Sequence, residues 1–585
     1  MNNAPEIKDL PPGQVEGTAP SPAPTWARYR NKMISEFPSP FRSAKDPLAL
    51  HIQKFVEKLD QLRPDKDGNA FLGDSGELTY TYPDVKKIEI HQRMGDLDTV
   101  LNEVVNLFNG APNWGSPLTM CNVNPQSNIA AIIASILSQV FAPNLLEGEY
   151  AWNVHRAELE TAGMMGNLFG WDPVNTGAIY TYGGGGCWTY GLKYGLTRVL
   201  PHSRAQGVRI DAKVICSQQA HYVQQNATDW TGLGMNNVVR VRTNASTNQM
   251  DLGHLEEILK DLTSRNIPVA AVVCTMGTTD ASAFDPIAMV RTLLDHYPNA
   301  PDFGKAILYA DAVVGWSWIL FKDYDFDTNP LDFSARILPA LRRNGQAMGE
   351  LAQADAVGID FHKAGWAPYV SSCFLYRNAA EFEGLHRRGE DAYLQARTDY
   401  NPMYYTLEVS RTAAGSLAGW ATLKYFGKEG MQAILGGILE SKYYLYDLLS
   451  RQPDMVCVNP DDSGLVTLFR VYPKDVDARA QYDKELNEPA SHAELLRHNQ
   501  LTEAVGNRLF EWYRDGKRIG GMPTPHMSFT TGFRNTHYNL DGTDPKAVVY
   551  ALKSFPMNVF ITQETMQWVL YCVQAARDDV LRPVS

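Results

Sequence analysis

Lys363 stands among apolar and aromatic neighbours, in Ile359-Asp360-Phe361-His362-Lys363-Ala364-Gly365-Trp366. Most lysines are solvated charges, because a lysine is rarely buried unless it is paired. These flanks favour partial burial, which lowers an ammonium pKa and leaves an amine able to form a Schiff base. Asp311 closes the apolar run Ile307–Ala310. Burying a carboxylate without a partner is costly. Asp311 is therefore either a strand-end acid capping the next turn or a buried counter-ion that keeps a pyridine nitrogen protonated.

Gly183–Gly186 precede a helix-like stretch, Thr189–Leu200. Such a run is either a structural turn or a place where backbone N–H groups and a helix N-terminus receive a phosphate. It fits neither G-x-x-x-x-G-K-[ST] nor G-x-G-x-x-G, which disfavours nucleotide binding by those devices. His221 follows a short apolar strand, and is either a satisfied structural histidine or an imidazole able to lie on a ring face. Thr275 ends the strand-like Val269–Cys274, and Thr275-Met276-Gly277-Thr278-Thr279 is either a hydrogen-bonded turn or a set of donors along a cofactor edge. His362 can cap a phosphate through its backbone or its ring. In this order the groups match what a pyridoxal phosphate site needs.

The elements that must hold these groups form an alternation. Short apolar runs at Val214–Cys216, Val238–Val241, Val269–Cys274, Ile307–Val314 and Val370–Tyr376 alternate with helical patterns such as Leu252–Leu262 and Pro286–Asp295. Such alternation predicts an α/β layer with a mostly parallel sheet and ligands at the carboxyl ends of strands. The expected organisation is a Pro-rich disordered arm over 1–25, an N-terminal helical segment over 26–175, a large cofactor domain over 176–435 and a C-terminal α+β domain over 436–585. The polar stretch 474–500 reads as a surface insertion within the last of these.

The 585 residues are 44% hydrophobic and 20% charged, which is ordinary globular composition. A formal net charge of −12 without a long Lys/Arg run argues against nucleic acid as a partner. Seven scattered cysteines without a C-x-x-C predict neither a disulfide framework nor a metal site. The apolar stretch Asn128–Ala142 is too short for a membrane span. With no secretory leader in view, a soluble cytoplasmic protein is the expectation.

The motifs resemble those of the group II pyridoxal phosphate-dependent amino-acid decarboxylases, which act on aromatic amino acids, tyrosine or glutamate. The resemblance runs from about residue 110 to 435. It is carried by GGGG at 183–186, SQQAHYVQQNA at 217–227, TMGTTDASAFDPI at 275–287, ADAVVGW at 310–316, ADAVGIDFHKAGWAPY at 354–369 and LEVSRTAAGSLAGWATLKYFGKEG at 407–430. The continuation Lys363-Ala364-Gly365-Trp366-Ala367-Pro368-Tyr369 looks most like the tyrosine branch. The resemblance implies fold type I (aspartate aminotransferase-like): a central mostly parallel sheet with helices on both faces, an N-terminal helical segment and a small C-terminal α+β domain. It also implies a homodimer with active sites at the interface.

Carried over residue by residue, the resemblance makes Lys363 the Schiff-base lysine, Asp311 the pyridinium partner and His221 the stacking residue. It sets Thr275 and Val313 beside the cofactor, and Gly184, Gly185 and His362 around its phosphate. A loop tyrosine delivers a proton in this family. Tyr393 is the first candidate and Tyr400 the second, and no Phe occurs between Leu385 and Leu407. Three departures stand out. Gly185, Cys187 and Trp188 occupy positions where the family commonly has Ser or Thr, then Ala and Asn. Val313 is bulkier than the usual Ala, and Lys322–Met348 reads as an inserted excursion.

The activity implied is release of CO2 from an L-amino acid, most simply an aromatic one of the tyrosine type. Glutamate or another acidic amino acid is the nearest rival. An aminotransferase or carbon–carbon lyase would share Lys363 and Asp311, and an inactive homologue would act as an interaction subunit.

Overall fold

The computed structural model describes residues 25–34, 36–43, 46–389, 397–459 and 464–582. They fall into two compact units. One takes the residues up to Leu62 together with His91–Asn106. It holds helices α1 (Thr25–Ile34), α2 (Pro47–Leu62) and α3 (Leu97–Asn106). Lys54 of α2 pairs with Asp98 of α3 at 2.9 Å.

The other unit, Arg63–Ile90 with Leu107–Ser585, contains every site residue that the structure describes. Among those residues its centre is a seven-stranded sheet. The strands are β1 (Gly177–Thr181), β2 (Lys213–Ser217), β3 (Val238–Val241), β4 (Val269–Thr275), β5 (Ile307–Asp311), β6 (Ala356–Asp360) and β7 (Ser372–Tyr376), in spatial order 1-7-6-5-4-2-3. Strand β7 is antiparallel to both β1 and β6, and the remaining pairs are parallel. Every residue of β4, β5 and β6 is buried, as expected for parallel strands covered by helices on both faces. The apolar run Ile307–Val314 stops being strand at Asp311, where the chain turns into a tight helical segment, Trp316–Phe321.

Three helices matter most for the site. Helix α4 (Ile129–Phe141) begins where Asn128 Oδ1 accepts the Ala131 N–H at 2.9 Å. Helix α5 (Arg156–Phe169) lies against β1, and helix α6 (Gly184–Val199) springs from the end of β1. The excursion Lys322–Met348 belongs to the β5–β6 crossover, which a parallel pair requires. Its helix α7 (Leu338–Gly349) packs on Trp316–Phe321.

Helix α8 (Ala414–Ser450) continues past residue 435 with a kink at Gly427, where φ is +58°. Beyond it lies a four-stranded antiparallel sheet of β8 (Met455–Cys457), β9 (Thr467–Val471), β12 (Ser528–Asn535) and β13 (Val548–Ser554). A short ribbon, β10 (Arg518–Ile519) with β11 (Met522–Pro523), precedes β12.

The stretch 474–500 forms helix α9 (Ala478–Asn487) and the start of α10 (His492–Arg514); most of its polar residues are on the surface, and a few, Glu485 and His498 among them, are buried. Buried Glu485 accepts from Tyr472 at 3.1 Å and pairs with Arg470 at 3.1 Å and His498 at 2.5 Å. These few charges can be buried because they are matched.

One buried ion pair ties the layers together. The Arg411 guanidinium grips Glu158 of α5 with both nitrogens, at 2.8 and 2.9 Å. The same carboxylate accepts the Tyr180 N–H of β1 at 3.1 Å and the Tyr400 hydroxyl at 2.8 Å. Burial opposes the charge of Glu158, but Arg411 and these hydrogen bonds prevail and hold its pKa below the ordinary value. The stability this pair contributes is complete above the ordinary glutamate pKa and is lost as the pH falls through the lower folded-state value. Glu158→Gln, which strands the buried guanidinium, is expected to cost roughly 3–5 kcal/mol in denaturant unfolding at neutral pH. The deficit should shrink on acidification, and a constant deficit down to acid unfolding would refute the linkage.

Candidate active site

The carboxyl ends of β4, β5 and β6 lie side by side, and each ends in a polar residue: Thr275, Asp311 and Asp360. Lys363 follows Asp360 by one tight turn. Its Nζ sits 2.7 Å from Asp360 Oδ2, with the lysine side chain 21% exposed. Burial works against the ammonium, yet Asp360, with Asp311 beyond it, holds the Lys363 pKa above its ordinary value. The expected lowering is therefore reversed: the anion three residues earlier outweighs desolvation. Asp360 is itself fixed. Its Oδ1 accepts the Ser372 hydroxyl at 2.5 Å, and His362 Nε2 lies 3.4 Å from Oδ2.

Asp311 is buried, and burial raises its pKa. The Trp188 indole N–H, donated to Oδ2 at 2.6 Å, and the Lys363 ammonium both oppose that rise. Oδ1 receives only a long contact, 3.5 Å, from the Val313 N–H.

Gly183, at φ +121°, lets the chain leave β1 and enter α6. A side chain on Gly184 would begin 3.2 Å from Asp360 Oδ2 and 3.4 Å from Val313 Cγ1. Gly184 thus allows the helix N-terminus to come up against the acid and Val313, while Gly185 faces Val223. The first N–H groups of a helix have no partner within it, so this end is an anion receptor.

His221 is half-buried, and its Nδ1 accepts the Val223 N–H at 3.2 Å. A neutral ring then carries its proton on Nε2. Burial first, then Lys363, pushes its pKa below the ordinary histidine value. Thr275 Oγ1 is buried with no hydrogen-bond partner among the described residues. The Thr275 backbone is held by Asp285, whose Oδ2 accepts its N–H at 2.8 Å. His362 is buried against Tyr369, ring centroids 4.0 Å apart.

The C-terminal sheet holds two of these loops from outside. Lys553 of β13 donates to Thr279 O at 2.7 Å and pairs with Asp280 at 3.1 Å. Gln219 Nε2, two residues before His221, donates to Phe533 O at 2.8 Å.

The structure thus brings Lys363, Asp311, Val313, Gly184 and His362 together around Asp360, with His221 on the loop after β2, Thr275 at the end of β4 and Gly185 in the first turn of α6. Tyr393 lies outside the described residues. Tyr400 is drawn elsewhere, since its hydroxyl is committed to Glu158 and its ring meets His155 edge-on at 4.9 Å. Two contributors escape sequence reasoning. Asp360 carries a visible signal, an acid at a strand end three residues before the lysine. Trp188 carries none beyond its unusual place in the glycine turn.

Comparison with known proteins now identifies the relatives. Residues 84–323 match the pyridoxal-dependent decarboxylase conserved domain, a span that ends before Lys363. L-2,4-diaminobutyrate decarboxylase of Acinetobacter baumannii is 28% identical over 268 residues, 45% of this chain and 46% of that protein. L-tyrosine decarboxylase of Enterococcus faecalis is 24% identical over 276 residues, 44% of this chain and 43% of that protein. The chain spans about half the length of the curated relatives it matches. Solved structures match more widely. Mouse CSAD in apo form superposes with a TM-score of 0.71 at 15% identity, covering 91% of this chain and all of that one. Oryza sativa TDC with PLP and tryptamine gives 0.67 at 13% identity, covering 97% of this chain and 100% of that one. The fold is that of PLP fold type I, as expected from the sequence.

Asp360→Asn removes the nearest anion, so the Lys363 ammonium should lose its proton at lower pH. Reductive methylation across pH, followed by peptide mass spectrometry, should show a pKa lower by at least about one unit, the scale of a charge within 4–6 Å. An unmoved profile would show that Asp360 does not control the amine.

Proposed function

We propose that this chain, which belongs to the group II pyridoxal phosphate-dependent amino-acid decarboxylase family, removes the α-carboxylate of an L-amino acid as CO2 with pyridoxal phosphate bound at Lys363. The observation that carries this reading is an amine and a buried carboxylate, Lys363 and Asp311, at one end of a parallel sheet beside a glycine-led helix N-terminus. Unsatisfied groups in the site fit the cofactor. Asp311 Oδ1 has an open valence for a protonated ring nitrogen. Thr275 Oγ1 is a buried hydroxyl without a partner among the described residues, and Gly184 leaves a cradle that a side chain would fill.

When bound, pyridoxal phosphate supplies an electron sink for the pair left on Cα as CO2 departs. Lys363 would hold the cofactor through its amine, and Asp360 would steady that side chain when it is a free ammonium. Asp311 would keep a proton on the ring nitrogen. The neutral His221 ring offers a flat face, and the first N–H groups of α6, with His362, receive the phosphate. Which Cα bond breaks depends on how the substrate is held relative to the ring. For proton delivery to Cα the proposal rests on Tyr393, since the Tyr400 hydroxyl is engaged by Glu158.

The substrate we favour is an aromatic amino acid of the tyrosine type, on the Lys-Ala-Gly-Trp-Ala-Pro-Tyr continuation. Relatives named for 2,4-diaminobutyrate and aspartate put those next in any screen. The test is CO2 release by protein loaded with pyridoxal phosphate, over a panel of tyrosine and other aromatics, aspartate, glutamate and 2,4-diaminobutyrate. Lys363→Ala should lose the borohydride-reducible adduct and all turnover. Tyr393→Phe should keep the adduct and lose roughly 10²–10⁴-fold in kcat, the range for general acid catalysis. Wild-type protein without an adduct would overturn the cofactor assignment, and an adduct with amine transfer but no CO2 would point to an aminotransferase.

A homodimer is part of the proposal. Helix α4 packs one face on α8 and leaves a stripe uncovered: Ile129, Ile133, Leu137 and Phe141 are 75%, 55%, 53% and 76% exposed. Spaced four apart, they form one apolar ridge, suited to a second copy of the chain. Ile133→Glu with Leu137→Glu should shift sedimentation from dimer to monomer and lower activity with it. Dimers that persist unchanged would locate the interface elsewhere.

A further inference from the structure

We propose that Trp188 is a positioning residue, whose indole N–H fixes the Asp311 carboxylate and leaves Oδ1 free for the protonated ring nitrogen of the cofactor. The inference rests on the reading of this site as a pyridoxal phosphate site.

Trp188 lies in the second turn of α6 and is fully buried. Its Nε1 reaches Asp311 Oδ2 at 2.6 Å, and its ring meets the Tyr309 ring edge-on at 5.7 Å. Indole has one polar atom and can only donate. Aimed at a carboxylate, it stabilises the ionised form and never competes as an acceptor. One oxygen of Asp311 is thereby held, and the carboxylate cannot rotate about its terminal bond without breaking a charge-assisted hydrogen bond. The other oxygen, with only the 3.5 Å contact from Val313, is left for a ligand N–H.

Electrostatics makes this donor matter. The titratable groups facing Asp311 are Lys363, Asp360, Tyr309 and Cys187. Two of these are acids that weaken with burial, Asp360 is a second carboxylate, and only Lys363 carries positive charge. That single ammonium is already 2.7 Å from Asp360. An acid in this setting tends to keep its proton, and a protonated Asp311 would leave the ring nitrogen neutral. The indole N–H opposes this without adding a charge that could migrate.

Trp188→Phe keeps a buried aromatic and deletes the N–H. Bound as purified holoenzyme, the variant is expected to retain pyridoxal phosphate at least about tenfold more weakly, the low end for a hydrogen bond to a charged group. The pH titration of the long-wavelength absorbance of the bound cofactor should shift with it. If that titration is unchanged, the indole is packing alone and the proposal fails, whatever the affinity. If the variant does not fold, the apo protein labelled with ¹⁵N-indole tryptophan decides instead. Asp311→Asn should move one indole N–H resonance strongly, and an unmoved set overturns the proposal. Wild-type protein that takes up no pyridoxal phosphate would defeat the parent reading rather than this one.

Discussion

Two carboxylates share one ammonium at the end of a buried sheet. Asp311 and Asp360 terminate neighbouring parallel strands, and Lys363 is the cation between them. Buried charge of one sign is costly unless it is paired or hydrogen bonded. Much of the local architecture meets that demand. Ser372 on β7 and the His362 ring attend Asp360, and Trp188 attends Asp311. The remaining imbalance is negative, and it lies where a positively charged ring would be accommodated. The glycine turn follows from the same constraint, because α6 can approach Asp360 this closely only where no side chain intervenes.

The periphery keeps these strand ends in register. The Glu158–Arg411 pair joins α5, β1, the Tyr400 segment and the entry to α8 at a single carboxylate. Glu408 adds a second tie, accepting from Thr181 at the end of β1 and from Tyr190 in α6. The chain on the C-terminal side of the residues around Tyr393 is therefore anchored to the strand that launches the glycine turn. A displacement of that segment would be felt at the helix N-terminus.

What could be read in the sequence was local. Lys363, Asp311 and the glycine run announce themselves through their immediate neighbours, and the strand–helix alternation through short-range hydrophobic pattern. Strand β6 was harder to see, because Ala356-Val357-Gly358 is too small to look like a buried strand until β5 and β7 flank it. The direction of the Lys363 shift depended on two opposing influences, burial and Asp360, and neighbours alone do not rank them. The partners of Tyr400 and of Glu485 were hidden for one reason: a polar side chain looks solvent-bound until its distant partner is known. Glu158 lies 242 positions before Tyr400, and Glu485 meets Arg470 and His498 from separate elements. Trp188 and Asp311, 123 positions apart, are the same case inside the site.

The grip of the C-terminal sheet on the loops after β2 and β4 bears on how the protein is made. Gln219 is held by Phe533, and Thr279 and Asp280 by Lys553. During synthesis the strands ending in Thr275, Asp311 and Asp360, and the turn that carries Lys363, leave the ribosome long before residues 533 and 553 exist. A nascent chain can hold each of these reactive groups and still lack the outer wall that steadies two of its loops. Domains generally fold as units during translation, N-terminal first, but here the site spans that order. The two loops are steadied only after residues 533 and 553 have emerged, well after the reactive groups themselves.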